Sequence, residues 1–205
     1  DAALATVNAD GVVTGVSAGS VTVTATSTVD TTKSDTETLT VIGVPTTVDC
    51  TTAGELPATI ETAQTLPLNC FKITRTVKVS APLTLAAGTV IVAEPNGYLD
   101  IQAGGALIAK GTATNPIIMR GENPSKGYWY GVNIASLDAL NQLDYVQISD
   151  GGRTSSYSNL LVQNTGSVSI SNSTFSNSKT DGIRLETGAQ LNTFANNTFE
   201  VNGLT

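Results

Sequence analysis

Asp144, Asp150, Arg153, Asp181, Arg184 and Glu186 are the residues of this chain whose types suit chemistry. Clustered carboxylates can hold calcium or act as an acid–base pair at a glycosidic bond, and a basic side chain beside them can abstract a proton. Spacing decides whether they meet. Asp150 and Asp181 lie 31 positions apart, whereas the sequence around them repeats every 22–24 residues, so the two are not expected to stack on one face of neighbouring repeats. Asp150-Gly151-Gly152 and Asp181-Gly182 read instead as tight corners, where Asp tolerates unusual backbone angles. With no His in the chain, the set predicts no active site. Asp150 and Asp181 stay as candidate ligands for calcium, the one cofactor these acids suggest.

Two further groups could bind. Asn172-Ser173-Thr174-Phe175 and Asn196-Asn197-Thr198-Phe199 both satisfy the N-x-Ser/Thr acceptor rule, making Asn172 and Asn196 candidate glycosylation sites. Their 24-residue offset also equals one repeat, as a recurring structural corner would produce, with stacked Asn side chains bonding to each other and to the next turn. Tyr128, Trp129 and Tyr130 form the one aromatic cluster and are candidates for stacking on a sugar ring. The competing reading packs Trp129 inside the fold and leaves at least one Tyr outward.

The elements that position these residues are short strands. From Phe71 onward, brief apolar steps are split by Gly, Asn and Pro. Aligning the last two stretches sets Leu160 and Val162 opposite Ile183 and Leu185, 23 apart, and Phe175 opposite Phe199, 24 apart. A repeat of that length holding three short strands predicts a parallel β-solenoid with stacked Val, Ile, Leu and Phe inside and Gly or Asn at the corners. The run "LTLAAGTVIVAEPNGYLDIQAGGALIAKGTATNPIIMRG", with "YWYGVNI" and "LDYVQISDGG", resembles the right-handed parallel β-helix proteins of bacterial surfaces, the pectin-lyase-like superfold. The likeness spans about 135 residues. It implies a right-handed parallel β-helix over 71–205, about five coils with an uncapped C-terminus. That superfold includes polysaccharide lyases and glycoside hydrolases and hosts many other functions.

Residues 1–43 carry "ATV", "VVTGV", "SVTVTATS" and "TETLTVIG", separated by "NADG", "SAG" and "VDTTKSD". In "VTVTAT" the alternation is strict, with Val21, Val23 and Ala25 on one face and Thr22, Thr24 and Thr26 on the other, as in a half-buried antiparallel strand. The stretch resembles the C-terminal part of the group-two bacterial Ig-like domains, which implies a partial Ig-like β-sandwich. Residues 44–70 read as a linker or cap segment in which "ELPATIETA" is the one plausible helical turn, burying Leu56 and Ile60. Cys50 and Cys70 are the only cysteines. A disulfide between them would close a loop of about 20 residues, stabilising by about 3 kcal/mol; free buried thiols are the alternative.

The net charge of −7 offers no basic patch for nucleic acid and no attraction to anionic lipid. No apolar run approaches the ~20 residues of a membrane-spanning helix. The first residue is Asp1, which fits a cleaved leader or an excerpt of a longer chain. Together these predict an all-β, extracellular or cell-surface chain with a non-enzymatic structural or adhesive role: stalk, sheath, filament subunit or adhesin. Self-association, another surface protein or a glycan would be its partner. The runner-up is a polysaccharide-active enzyme or carbohydrate-binding module.

Overall fold

The computed structural model describes residues 5–8, 11–15, 19–41 and 48–203. The chain divides into two units, Asp1–Thr46 and Thr47–Thr205. In the first, β1 (Ala5–Val7) pairs antiparallel with β2 (Val13–Gly15), and β3 (Gly19–Thr26) with β4 (Ser34–Val41). All four expected strands are present, as two separate two-stranded sheets. Asn8 closes the first hairpin, its Oδ1 accepting from Val12 N at 2.8 Å, while Gly11 adopts a φ of +78°. In the second hairpin Thr22 faces Thr38 and Thr24 faces Thr36, with Val21 buried on the opposite face. The turn is held by Asp30 Oδ1, which accepts from both Thr32 N and Thr32 Oγ1; these bonds favour the ionised carboxyl and lower its pKa. The first two residues of the "SAG" turn and the boundary at residue 43 lie outside the described residues, and the Gly of that turn opens β3.

In the second unit three parallel sheets stack strand upon strand. The first coil is β5 (Gly54–Glu55), β6 (Thr59–Ile60) and β7 (Gln64–Leu66), and the second β8 (Cys70–Ile73), β9 (Thr76–Val79) and β10 (Pro82–Leu85). The third is β11 (Val90–Ala93), β12 (Tyr98–Ile101) and β13 (Ala106–Lys110); the fourth β14 (Ile117–Gly121), β15 (Gly131–Ile134) and β16 (Gln142–Asp144). The fifth is β17 (Val146–Ser149), β18 (Leu160–Val162) and β19 (Ser167–Ser171), and the sixth β20 (Thr174–Ser176), β21 (Ile183–Leu185) and β22 (Gln190–Ala195). A seventh coil opens with β23 (Thr198–Glu200).

Two expectations need correction. The helical turn over 55–63 is absent: these residues supply β5 and β6, which pair in parallel with β8 and β9, so the sheets begin ahead of Phe71. Leu56 and Ile60 are buried as expected, but Leu56 directly follows β5 and Ile60 ends β6, and their four-residue separation imitates a helical period. The 22–24 repeat holds in two sheets between the second and third coils and again near the end, but not elsewhere. Gly54 pairs with Phe71, Cys70 with Val90, Val90 with Ile118, Ile117 with Val146, and Ile108 with Gln142, giving steps of 17 to 34 residues. The extra length sits in the connections 122–130, 135–141 and 150–159, while the strands keep their stacking.

The predicted register of the last coils is as observed: Leu160 pairs with Ile183, Val162 with Leu185, and Phe175 with Phe199. One sheet therefore steps by 23 and the next by 24. The additional residue is Asn192, a bulge beside Val168 and Ser169, whose Nδ2 donates to Ser167 Oγ at 2.8 Å.

The core runs the length of the solenoid in columns. Ile91, Met119, Ile148 and Phe175 stack along the first sheet; Leu99, Val132 and Leu160 stack along the second, all almost fully buried. Each such side chain contributes about 1.5–3 kcal/mol by leaving water. In β21, β22 and β23, the end strands of the three sheets, Leu185, Phe194 and Phe199 are about half exposed.

The cysteines form a disulfide, Cys50 to Cys70. It fastens the segment 48–53 against the outer face of the first sheet, where Val48, Cys50 and Ala53 pack on Cys70, Val90, Val92 and Ile118. The segment thus covers a side of the solenoid, whereas the sequence suggested a plug over its end.

Candidate functional site

In the last coils every strand of the first sheet is bracketed by left-handed corners. Tyr145, Asn172 and Asn196 precede the strand, and Asp150, Asn177 and Val201 follow it, all with φ between 50° and 67°. Asn and Asp tolerate this conformation better than other L residues, so their recurrence in the motif has a backbone cause. Their side chains also stack. Asn196 Nδ2 donates to Asn172 Oδ1 at 3.2 Å, and Asn172 Nδ2 to Asp144 Oδ1 at 2.8 Å. One position further on, Asn197 accepts from Ser173 N and donates to Ile170 O, and Asn202 does the same between Ser178 N and Phe175 O. Both sequon asparagines therefore belong to a coil-to-coil ladder, and a glycan on Asn172 would occupy the nitrogen that bonds Asp144.

The candidate acids are engaged in the same way. Asp144 Oδ1 accepts from Ser171 Oγ at 2.7 Å as well as from Asn172. Asp150, only 3% exposed, accepts from Asn177 Nδ2 at 2.7 Å, Ser149 Oγ at 2.9 Å and Gly121 N at 3.2 Å, tying three successive coils at one corner. Glu186 Oε2 accepts from Asn164 N, Arg184 donates to Ser155 O, and Asp181 offers its backbone oxygen to Asn159 N. Both oxygens of Asp150 already face protein donors, a poor fit to a calcium ion, which needs free lone pairs on several oxygens. Among the described residues no three His, Cys, Asp or Glu side chains are grouped as a metal site.

Trp129 is corrected as a sugar contact: it is fully buried, with Nε1 donating to Ser149 O at 2.7 Å. Tyr130 is half-buried and joins two tyrosines that sequence reasoning missed. Tyr98, Tyr130 and Tyr157 meet edge to face, with centroids 4.8–6.1 Å apart, and the Arg153 guanidinium lies 5.8 Å from the Tyr130 ring centre. Arg153 also donates to Tyr128 O at 3.1 Å. Beside them on the second sheet, Asp100 accepts from Asn133 Nδ2 at 2.7 Å and Gln102 Nε2 at 3.0 Å. Asn133 Oδ1 is buried without a donor. The cluster draws on three coils of unequal length, so a fixed repeat could not reveal it; pairing Tyr98 with Gly131 would have.

Burial pushes the Tyr98 phenol above the usual tyrosine range, and the nearby Asp100 carboxylate adds to the shift. A raised folded-state pKa leaves its contribution to stability intact below the unfolded value near 10 and removes it as pH climbs toward the folded one. Wild-type urea midpoints should therefore fall more steeply between pH 9 and pH 11 than those of Tyr98→Phe. Parallel curves would show that Tyr98 ionises freely.

Residues 58–155 match the family model described as a pectate-lyase like beta helix domain. This region is a β-helix. No curated protein and no solved structure matches the chain. The match begins inside the first coil, in keeping with β6 at residue 59, and the β-helix continues beyond it through β23. The pectate-lyase-like group includes enzymes, so membership of that fold does not separate catalysis from a structural role.

Proposed function

We propose that the chain is a non-enzymatic extracellular structural or adhesive element. In this reading the β-helix serves as a stiff stalk and the two N-terminal hairpins are the C-terminal part of an Ig-like module. The observation that carries it is the use of Asp144 and Asp150, the best-placed acids, as acceptors for Ser, Asn and backbone donors of neighbouring coils. Acids so engaged hold coils together. The Cys50–Cys70 disulfide supports an oxidising, extracellular setting. Self-association, a surface protein or a glycan would be the partner, and no cofactor is needed. The test is an assay of the folded chain on acidic and neutral polysaccharides with calcium, following unsaturated uronate absorbance and reducing ends. No turnover is expected; turnover lost in Asp150→Asn while the fold is retained would overturn the reading.

One observation favours a second reading, a carbohydrate-binding or polysaccharide-active domain. It is the half-buried Tyr98, Tyr130 and Tyr157 group with Arg153 beside it. A glycan array probed with wild type and Tyr157→Ala distinguishes the two: selective binding lost in the variant supports the second.

A further inference from the structure

We propose that the Cys50–Cys70 disulfide is a mechanical bypass that keeps tension off the first coil of the β-helix. The inference rests on the covalent path alone and stands whether or not the domain has enzymatic activity. The chain enters the second unit at Thr47 and reaches Cys50 within three residues. The bridge then leads to the fully buried Cys70, the first residue of β8, a strand paired on both sides, by β5 and by β11. Everything between, including β5, β6 and β7, lies inside a closed covalent loop.

Those three strands are the weakest attachment in the solenoid, with two, two and three residues. Their pairing with the second coil rests on seven register positions or fewer: Gly54 and Glu55 on β8, Thr59 and Ile60 on β9, and Gln64 to Leu66 on β10. Pulled directly, such short parallel strands would peel from the end one after another. With the disulfide intact, a pull on the N-terminal side passes from Cys50 through the sulfurs to β8. It then meets four-residue strands in the interior of the sheets. The segment 48–53 is itself seated on Val90, Val92 and Ile118, so the entry point is buttressed by the third and fourth coils.

Single-molecule extension of the whole chain between its two ends tests this. A water-soluble trialkylphosphine cleaves the bridge: phosphorus attacks one sulfur, the S–S bond breaks, and water delivers its oxygen to phosphorus and two protons to the two thiolates. The oxidised chain should release no length from the first coil, whatever the order in which the N-terminal hairpins and the later coils give way. The reduced chain should gain an earlier, lower-force step, adding about 70 Å for the freed loop of about 20 residues. The same set of steps in the two states, with no added release of about 70 Å after reduction, would overturn the proposal. Hydrogen exchange without force is the second measurement: protection should drop in 54–66 and persist in β8 to β20 after reduction. Loss of protection throughout would make the bridge a staple of the entire fold and would equally overturn the bypass. The double variant Cys50→Ser, Cys70→Ser should reproduce the early step without reductant.

Discussion

Phe175→Ala should destabilise the β-helix by about 3–5 kcal/mol, and Phe199→Ala by about 1 kcal/mol, although both occupy the fourth position of the same Asn-x-Thr-Phe motif. Phe175 is fully buried, with Ile148 before it in the column and the Phe199 ring stacked on it at 5.6 Å. Truncation there leaves a cavity walled by two coils that cannot close it without breaking their register. Phe199 is 49% exposed, and water already covers much of what truncation would remove. Urea denaturation of the two variants, with unchanged slope, reads the difference as a shift in midpoint. Equal losses would show that Phe199 is as enclosed as Phe175 and would overturn the difference in burial between β20 and β23.

The second large effect is expected at Asp150. Asp150→Ala removes an acceptor from Asn177 Nδ2, Ser149 Oγ and Gly121 N together, at a site that is nearly inaccessible to water. Hydrogen bonds to a charged group contribute about 1.5–3 kcal/mol each, and donors left unpaired in the interior cost further. Ala also accepts the φ of 67° less readily than Asp. A loss of about 3–5 kcal/mol follows once partial relaxation is allowed for. Asp150→Asn keeps the shape and the tolerance of the left-handed corner but turns an amide toward one set of donors, so its loss should be smaller, about 2 kcal/mol. The order Ala worse than Asn, read from thermal or urea unfolding, is the signature of a corner tie. A stable Asp150→Ala protein would show that the corner does not need the carboxylate.

Much of the architecture was legible in the residues. Of the four N-terminal strands, β3 follows from strict alternation and the others from the turn residues that bound them, and the pairing of Leu160 with Ile183 and of Phe175 with Phe199 follows from spacing alone. The corner role of Asp150 follows from its Gly-Gly neighbours. The first coil was hidden because its strands β5 and β6, with Leu56 just after the first and Ile60 ending the second, have two residues each, too short to show a period of two. The middle coils were hidden by their connections, which carry up to ten residues with no periodic signal. For the same reason the Tyr98, Tyr130 and Tyr157 group could not be assembled from one chain-wide repeat. The candidate acids were found by type, but their engagement depends on which Asn and Ser sit one coil away, and that needs the true offset of 27 between Asp150 and Asn177.

The unequal coils carry a consequence for how the chain folds. Every solenoid strand finds its partners one coil away, between 17 and 34 residues along the chain. Closure entropy grows only with the logarithm of loop length, by about 0.6 kcal/mol per doubling, so the longest coil is hardly harder to close than the shortest. No coil is therefore a natural bottleneck, and structure can nucleate in any adjacent pair and spread to its neighbours, as in a one-dimensional array. Oxidation breaks that equality. With Cys50 and Cys70 joined, the first coil alone has its ends brought together in advance, and ordering is expected to begin at the N-terminal end of the solenoid and run toward β23.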